Sequence, residues 1–235
     1  MILRRPATAR GATRGDGVDR RHAFSSGQYH DPAWAGFGPL RVMNEVRIAP
    51  GGACPLQHVG NMELLTYVLS GALAYRDGSG GEGVLHPGGV LWISAGHGID
   101  HAEGNASADE PVHLLQAWLQ PDRVNASPAR VQREFDPMAR RGQWAALATP
   151  DGADGSLPIR QDARLLGTLL AAGDVVALDP DPARRYWLHV AQGDVAAGDE
   201  MLSAGDALGL RGESARLALR GRGPGAAEVL LFDLP

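Results

Sequence analysis

The sequence predicts an all-β chain built as two consecutive β-barrel, jelly-roll-like domains, and three observations predict it. From about Val42 the apolar residues come in runs of about five to eight, each closed by a turn signal, which is the pattern of short strands rather than helices. Gly 32 and Pro 16 in 235 residues are high for a helical protein and favour many strands joined by tight turns. The wording of the first half also returns in the second, and self-similarity at a long period is the mark of a duplicated unit.

In chain order, "RVMNEVRIAP", "MELLTYVLSG", "GALAYRD", "GEGVLHPGGVLWISAG" and "VHLLQAWLQ" read as successive strands. "PGG", "DGSGGEG" and "HPGG" supply the turns between them. Around 128–148, "PARVQREFDPMARRGQWAALA" loosens into a connecting segment with one short helix. A second half begins near Gln143. There "HVAQGDVAA" (189–197) echoes "YVLSGALAY" (67–75), with Gly193 at the offset of Gly71, and "LSAGDALGLR" (202–211) echoes "LHPGGVLWIS" (85–94). The expected domains are 1–135 and 136–235.

Composition narrows the function. Hydrophobic content of 44% against 21% charged residues describes a globular chain rather than a disordered one. A net charge of −5 with a pI near 5.9 gives no electrostatic footprint for nucleic acid. No apolar run approaches the ~18 residues that would span a membrane. Every basic residue is arginine, which excludes a lysine nucleophile or Schiff base. The single cysteine, Cys54, excludes an internal disulfide and a cysteine-based zinc cluster, so a reduced cytoplasm is the expected compartment. "MILRRPATARG" lacks an apolar segment after its arginines, so a secretory signal is not expected.

The chemistry concentrates in "GHGIDHAEG" (96–104). On a strand His101 and Glu103 share a face, and an imidazole beside a carboxylate suits a first-row metal ion. The second half carries only the lone His189, more often a structural residue. Met62, Trp92 and Trp118 offer material to line a pocket, or ordinary core.

Gly81, Pro87 and Gly89 stand at the spacings of the second cupin motif, with Trp92 and Gly96 in its histidine and asparagine slots. The pirin branch of the cupins makes that departure and takes its third histidine later, in a segment like "AGHGIDHAE" (95–103). "HAFSSGQYHDP", "GFGPLRVMNE", "MELLTYVLSG", "ATPDGADGSLPIRQDARL" and the final "AEVLLFDLP" extend the likeness along the chain. It resembles a bacterial pirin-like bicupin of the subgroup described as quercetin 2,3-dioxygenase.

That resemblance implies four metal ligands: two histidines shortly before Glu63, then His101 and Glu103. Here the two earlier positions read Gln57 and Val59, with His58 between them. An extended strand turns Gln57 and Val59 inward and His58 outward; a bulge enabled by "PGGACP" would instead turn His58 in. The metal positions are therefore His101, Glu103, Gln57 and His58, with His97 in a flanking turn and Cys54 as a small buried residue or a thiolate ligand. The resemblance further implies a divalent transition metal (Fe2+, or Cu, Ni or Mn) and a flavonol-like aromatic substrate. It implies Glu103 as general base and a monomer. The ligand loss leaves open a second reading: no metal bound, and a catalytically silent sensor of small molecules or redox state, or a partner-binding regulator.

Overall fold

The computed structural model describes residues 1–235, which form 22 β-strands and four short 3-10 turns, with no α-helix. No helix is long and apolar enough to cross a membrane. The strands sort into two compact units, residues 11–135 with 159–161 in one, and 1–10, 136–158 and 162–235 in the other.

After β1 (Ile2–Arg5), the first of these units contains β2 (Gly11–Gly15), β3 (Val18–His22), β4 (Leu40–Ile48), β5 (Gln57–Val59), β6 (Glu63–Ser70), β7 (Leu73–Asp77), β8 (Glu82–Leu85), β9 (Gly89–Ser94), β10 (Ile99–Asn105), β11 (Val112–Leu119) and β12 (Ala129–Glu134). A seven-stranded sheet runs β12-β9-β6-β11-β4-β3-β2, and a four-stranded sheet runs β5-β10-β7-β8. Side chains alternate across each strand, so one face of each sheet turns inward. Val46, Leu64, Val68, Leu91 and Leu114 from the larger sheet pack with Val59, Leu73, Tyr75, Leu85 and Ile99 from the smaller. Burying such side chains contributes roughly 1.5–3 kcal/mol each, and it makes the two-layer sandwich the stable arrangement.

The other unit continues with β13 (Ala145–Thr149), β14 (Leu157–Pro158), β15 (Arg164–Leu170), β16 (Val175–Leu178), β17 (Arg185–Gln192), β18 (Asp194–Ala197), β19 (Glu200–Ser203), β20 (Ala207–Arg211), β21 (Leu217–Arg222) and β22 (Ala227–Leu234). Its sheets run β1-β20-β17-β22-β15-β13-β14 and β16-β21-β18-β19. The stretch β20-β17-β22-β15 repeats β9-β6-β11-β4, and the four-stranded sheets match strand for strand, so the duplication seen in the wording is a duplication of topology. Its hinge glycines are equivalent. Gly71 (φ +76) turns β6 into β7 and Gly193 (φ +70) turns β17 into β18, each so close to a facing backbone that a Cβ would meet Pro111 O at 2.5 Å or Ala227 Cα at 2.9 Å.

Two segments depart from the expected division at 135/136. Residues 1–10 join the C-terminal unit, because β1 completes its larger sheet, with Ile2 opposite Leu210, and the Ala7 amide donates to Asp206 at 2.7 Å. Residues 159–161 join the other unit. There the Arg160 amide donates to Glu63 at 3.1 Å, and its guanidinium donates to Ser94 Oγ and the Ser127 carbonyl. The expected loosening at 128–148 is also partly strand. β12 pairs with β9 along its whole length, but as an edge strand with a largely exposed surface it has no apolar alternation to read. The helical part is the single 3-10 turn Pro137–Arg140.

Candidate functional site

Residues of β3, β4 and β11 form the floor of a cavity of about 550 Å3, with Thr66 of β6 behind Glu103. Register decides which side chains meet there. His22 lies opposite Asn44, Asn44 opposite Gln116, and Gln116 opposite Thr66, so one polar row crosses four adjacent strands. Arg20, Val42 and Trp118 flank it, and His101 and Glu103 close the cavity from β10 in the smaller sheet.

Glu103 is buried, and both of its oxygens are engaged. The Thr66 hydroxyl donates to Oε1 at 2.6 Å and the Gln116 amide donates to Oε2 at 2.5 Å. His101 is its opposite: 5% exposed, with neither ring nitrogen hydrogen-bonded, its ring edge-on to Trp118 at 6.4 Å between centroids. At the far end of the row His22 has Nδ1 against Asn44 Oδ1 and Nε2 against the Thr13 hydroxyl, both at 2.9 Å. An amide oxygen only accepts, so Nδ1 carries a proton and donates to Asn44, while Nε2 and the Thr13 hydroxyl share the second hydrogen bond.

Cys54 is a buried free thiol that lines the same cavity. Arg20 donates to its Sγ at 3.0 Å. Burial pushes the thiol up to about 11, against the pull of the Arg20 guanidinium, and the charge of Glu103 adds to the rise. A thiolate ligand does not suit that environment.

The positions named by the sequence are thus divided. His101 and Glu103 come together, and Gln57 lines the cavity with its Cα opposite His101. His58 does not join them. β5 pairs residue for residue with β10 (His101–Gln57, Asp100–His58, Ile99–Val59), so no bulge shifts the register. His58 points outward, 71% exposed, and bonds Asp100 through Nδ1 at 2.7 Å. Val59 packs in the apolar core, and His97 is exposed in its turn. Of the three bulky residues offered for a pocket wall, only Trp118 lines the cavity; Trp92 is tied to Glu63 by its indole N–H at 2.7 Å and Met62 packs on the core.

A protein-held transition ion is the chemistry that the resemblance implies, and the donor set tests it. Of the four positions that the resemblance implies, one imidazole (His101), one carboxylate (Glu103) and one neutral amide (Gln57) face the cavity. Nowhere do three His, Cys, Asp or Glu side chains converge as a metal would require. First-row ions are held by at least three strong protein donors, so these residues do not fit one.

Thr66, Gln116, Asn44, His22 and Arg20 escaped the sequence reading. For Thr66 in "ELLTYVLS" and Gln116 in "VHLLQAWL" the signal was a polar residue at an inward position of an otherwise apolar strand; Arg20 and His22 lie in the largely charged "VDRRH", which carries no such signal. Only the register reveals that Thr66 and Gln116 meet on one carboxylate.

Comparison with known proteins fits this architecture. Residues 5–119 match the family model "Pirin", and residues 146–234 match "Quercetinase C-terminal cupin domain". The chain is 36% identical over its full length to a quercetin 2,3-dioxygenase of Escherichia coli K12, covering 99% of that protein. It is 35% identical to a pirin-like protein of Caulobacter vibrioides, over 91% of this chain and 92% of that one. The crystal structure of YhhW from Escherichia coli superposes with a TM-score of 0.93 at 34% identity, over 100% and 98% of the two chains. A second YhhW structure, described as a bacterial pirin in complex with nickel(II), gives 0.92 at 34% identity over 100% and 99%.

Proposed function

This chain belongs to the pirin family of cupins, and from that premise we propose that its N-terminal cupin cavity binds a small, oxygen-rich aromatic molecule directly through side chains, without a transition ion held by the protein. The observation that carries this reading is β5: Gln57 and Val59 occupy the two positions where the family resemblance expects histidine, and the intervening His58 is turned out to Asp100. The cavity remains. Its 550 Å3 suit a ligand of a few rings, Trp118 and Val42 give it apolar wall, and Arg20, Gln57 and His101 give it polar groups. Relatives bearing the name quercetin 2,3-dioxygenase make a flavonol the natural first probe. This is the role of a small-molecule sensor, in which occupancy rather than turnover is the output.

One observation favours a second reading. The bare nitrogens of His101 are what an ion would engage, and Fe2+, Ni2+, Cu2+ or Mn2+ on His101, Glu103 and Gln57 would make the chain a flavonol dioxygenase with Glu103 as general base. Protein purified without an affinity tag, incubated with each ion, desalted and measured by elemental mass spectrometry separates the two. Quercetin binding is followed in parallel by fluorescence, with and without EDTA. The expected result is metal far below one equivalent, quercetin binding unaffected by EDTA, and no oxygen consumption. Near-stoichiometric metal that disappears in His101→Ala, together with quercetin turnover, would overturn the proposal in favour of the dioxygenase. Absence of quercetin binding in every condition would leave neither reading standing.

A further inference from the structure

The charges of the cavity do not cancel in pairs. Arg14, at its edge, is ion-paired with Asp19 at 2.7 Å, which also meets Arg21 at 3.4 Å. Arg20 is not: its hydrogen bond goes to Cys54 Sγ at 3.0 Å, and neither carboxylate of the lining, Asp16 or Glu103, forms an ion pair with it. A thiol held in its protonated form by burial offers a guanidinium almost nothing in return. The remaining neighbours in the row, His22 and Asn44, satisfy each other and Thr13, so they do not compensate the charge either. An arginine presents five donors in a planar fork that matches a carboxylate, and here most of that fork is unused.

We propose that Arg20 is an anion-recognition residue, and that the ligand of this cavity is an aromatic acid whose carboxylate pairs with the Arg20 guanidinium while its ring lies against Trp118 and its hydroxyl reaches the unpartnered imidazole of His101. This inference rests on the reading of the cavity as a metal-independent binding site and adds the charge of the ligand. The anchored carboxylate of Glu103 works in the same direction. It repels an acid group from the β10 end of the cavity and so favours the orientation with the acid at Arg20.

The test compares 3,4-dihydroxybenzoate with its neutral amide, 3,4-dihydroxybenzamide, by calorimetry in EDTA, on wild type, Arg20→Gln and Arg20→Lys, with quercetin as a third ligand. Wild type is expected to prefer the acid over the amide by 10- to 100-fold, as befits one charge-assisted pair. R20Q should lose that preference while still binding the amide, and R20K should keep part of it. Equal affinity for acid and amide in the wild type overturns the assignment whatever the variants do. If quercetin binds in that case, the cavity remains a metal-independent site for neutral aromatics. If none of the three ligands binds, the underlying reading of the cavity has failed as well.

Discussion

Replacing His101 by leucine should make the free protein more stable while removing its ligand binding. The ring is 5% exposed and neither nitrogen has a partner, so a neutral imidazole leaves one donor and one acceptor desolvated. A buried unsatisfied polar group costs about 1–3 kcal/mol, and an apolar replacement of similar shape removes that cost. The substitution forfeits the edge-on contact with Trp118, about 0.5–1.5 kcal/mol for an aromatic pair. Counting the ring as a single such group, the net is a gain of about 1 kcal/mol, or roughly 2–4 °C in Tm for a chain of this size. Calorimetric melts of wild type and H101L, both in EDTA, read it directly, with titrations of quercetin and dihydroxybenzoate on the same samples. A Tm lowered by more than about 4 °C, equivalent to a loss of at least about 1 kcal/mol, would refute the reasoning. It would mean that His101 makes a bond in the free protein, and is not an imidazole held in reserve for a ligand.

Restoring imidazoles should create the metal site that the chain lacks. Gln57→His places a second ring directly across from His101, and Gln57→His with Val59→His should bind nickel at least about 10-fold more tightly than the single variant, at some cost in stability because Val59 is core; a folded double variant that takes up no nickel would count against the geometry. The raised Cys54 thiol, driven up to about 11 chiefly by burial, predicts negligible alkylation of native protein at pH 8. It also sets a sign for stability: the native state keeps a proton that the unfolded state releases above its ordinary value near 9. Stability is therefore full below pH 9 and falls between 9 and 11, and Cys54→Ala should flatten that limb in denaturant titrations. Gly71→Ala should destabilise by more than about 2 kcal/mol, since it combines a left-handed backbone with a Cβ 2.5 Å from a carbonyl oxygen. Gly193→Ala should behave alike if the two turns are equivalent, as urea unfolding midpoints will show.

The fold was legible because its cues are local. Glycine turns such as that at Gly71 punctuate the strands, alternation marks their faces, and the second half repeats both. His101 and Glu103 were legible for the same reason, since two residues of spacing on a strand suffices to aim them together. What stayed hidden depends on register between distant strands. That His58 points away could not be settled from "PGGACPLQHV" alone, because a bulge there was sterically allowed. It is decided by pairing with β10, where three consecutive residues match three and leave no extra one to bulge. The donors to Glu103 come from β6 and β11 and reach it across the sandwich, a contact that no local pattern announces. The first ten residues looked like part of the domain they precede, and their partner is β20, some 200 positions on.

The clamp on Glu103 bears on why the lost histidines need not have cost the chain its cavity. Thr66 and Gln116 sit opposite each other on adjacent strands and hold both carboxylate oxygens, so the charge is stabilised by two neutral donors whether or not an ion is near. Each oxygen keeps a second lone pair, so the clamp does not itself bar a metal; what the site lacks is the pair of imidazoles from β5, where Gln57 and Val59 stand instead, and one imidazole with one carboxylate is too few strong donors for a first-row ion. The same clamp keeps one negative charge in a cavity that also holds the positive Arg20. The two are not ion-paired with one another: Arg20 is open to a ligand's acid group, while Glu103, held by its two donors, keeps a fixed negative charge at the other end. A site with a fixed positive end, a fixed negative end and an aromatic wall between them has the means to select a polar aromatic molecule by charge and orientation, which a metal centre would otherwise do by coordination.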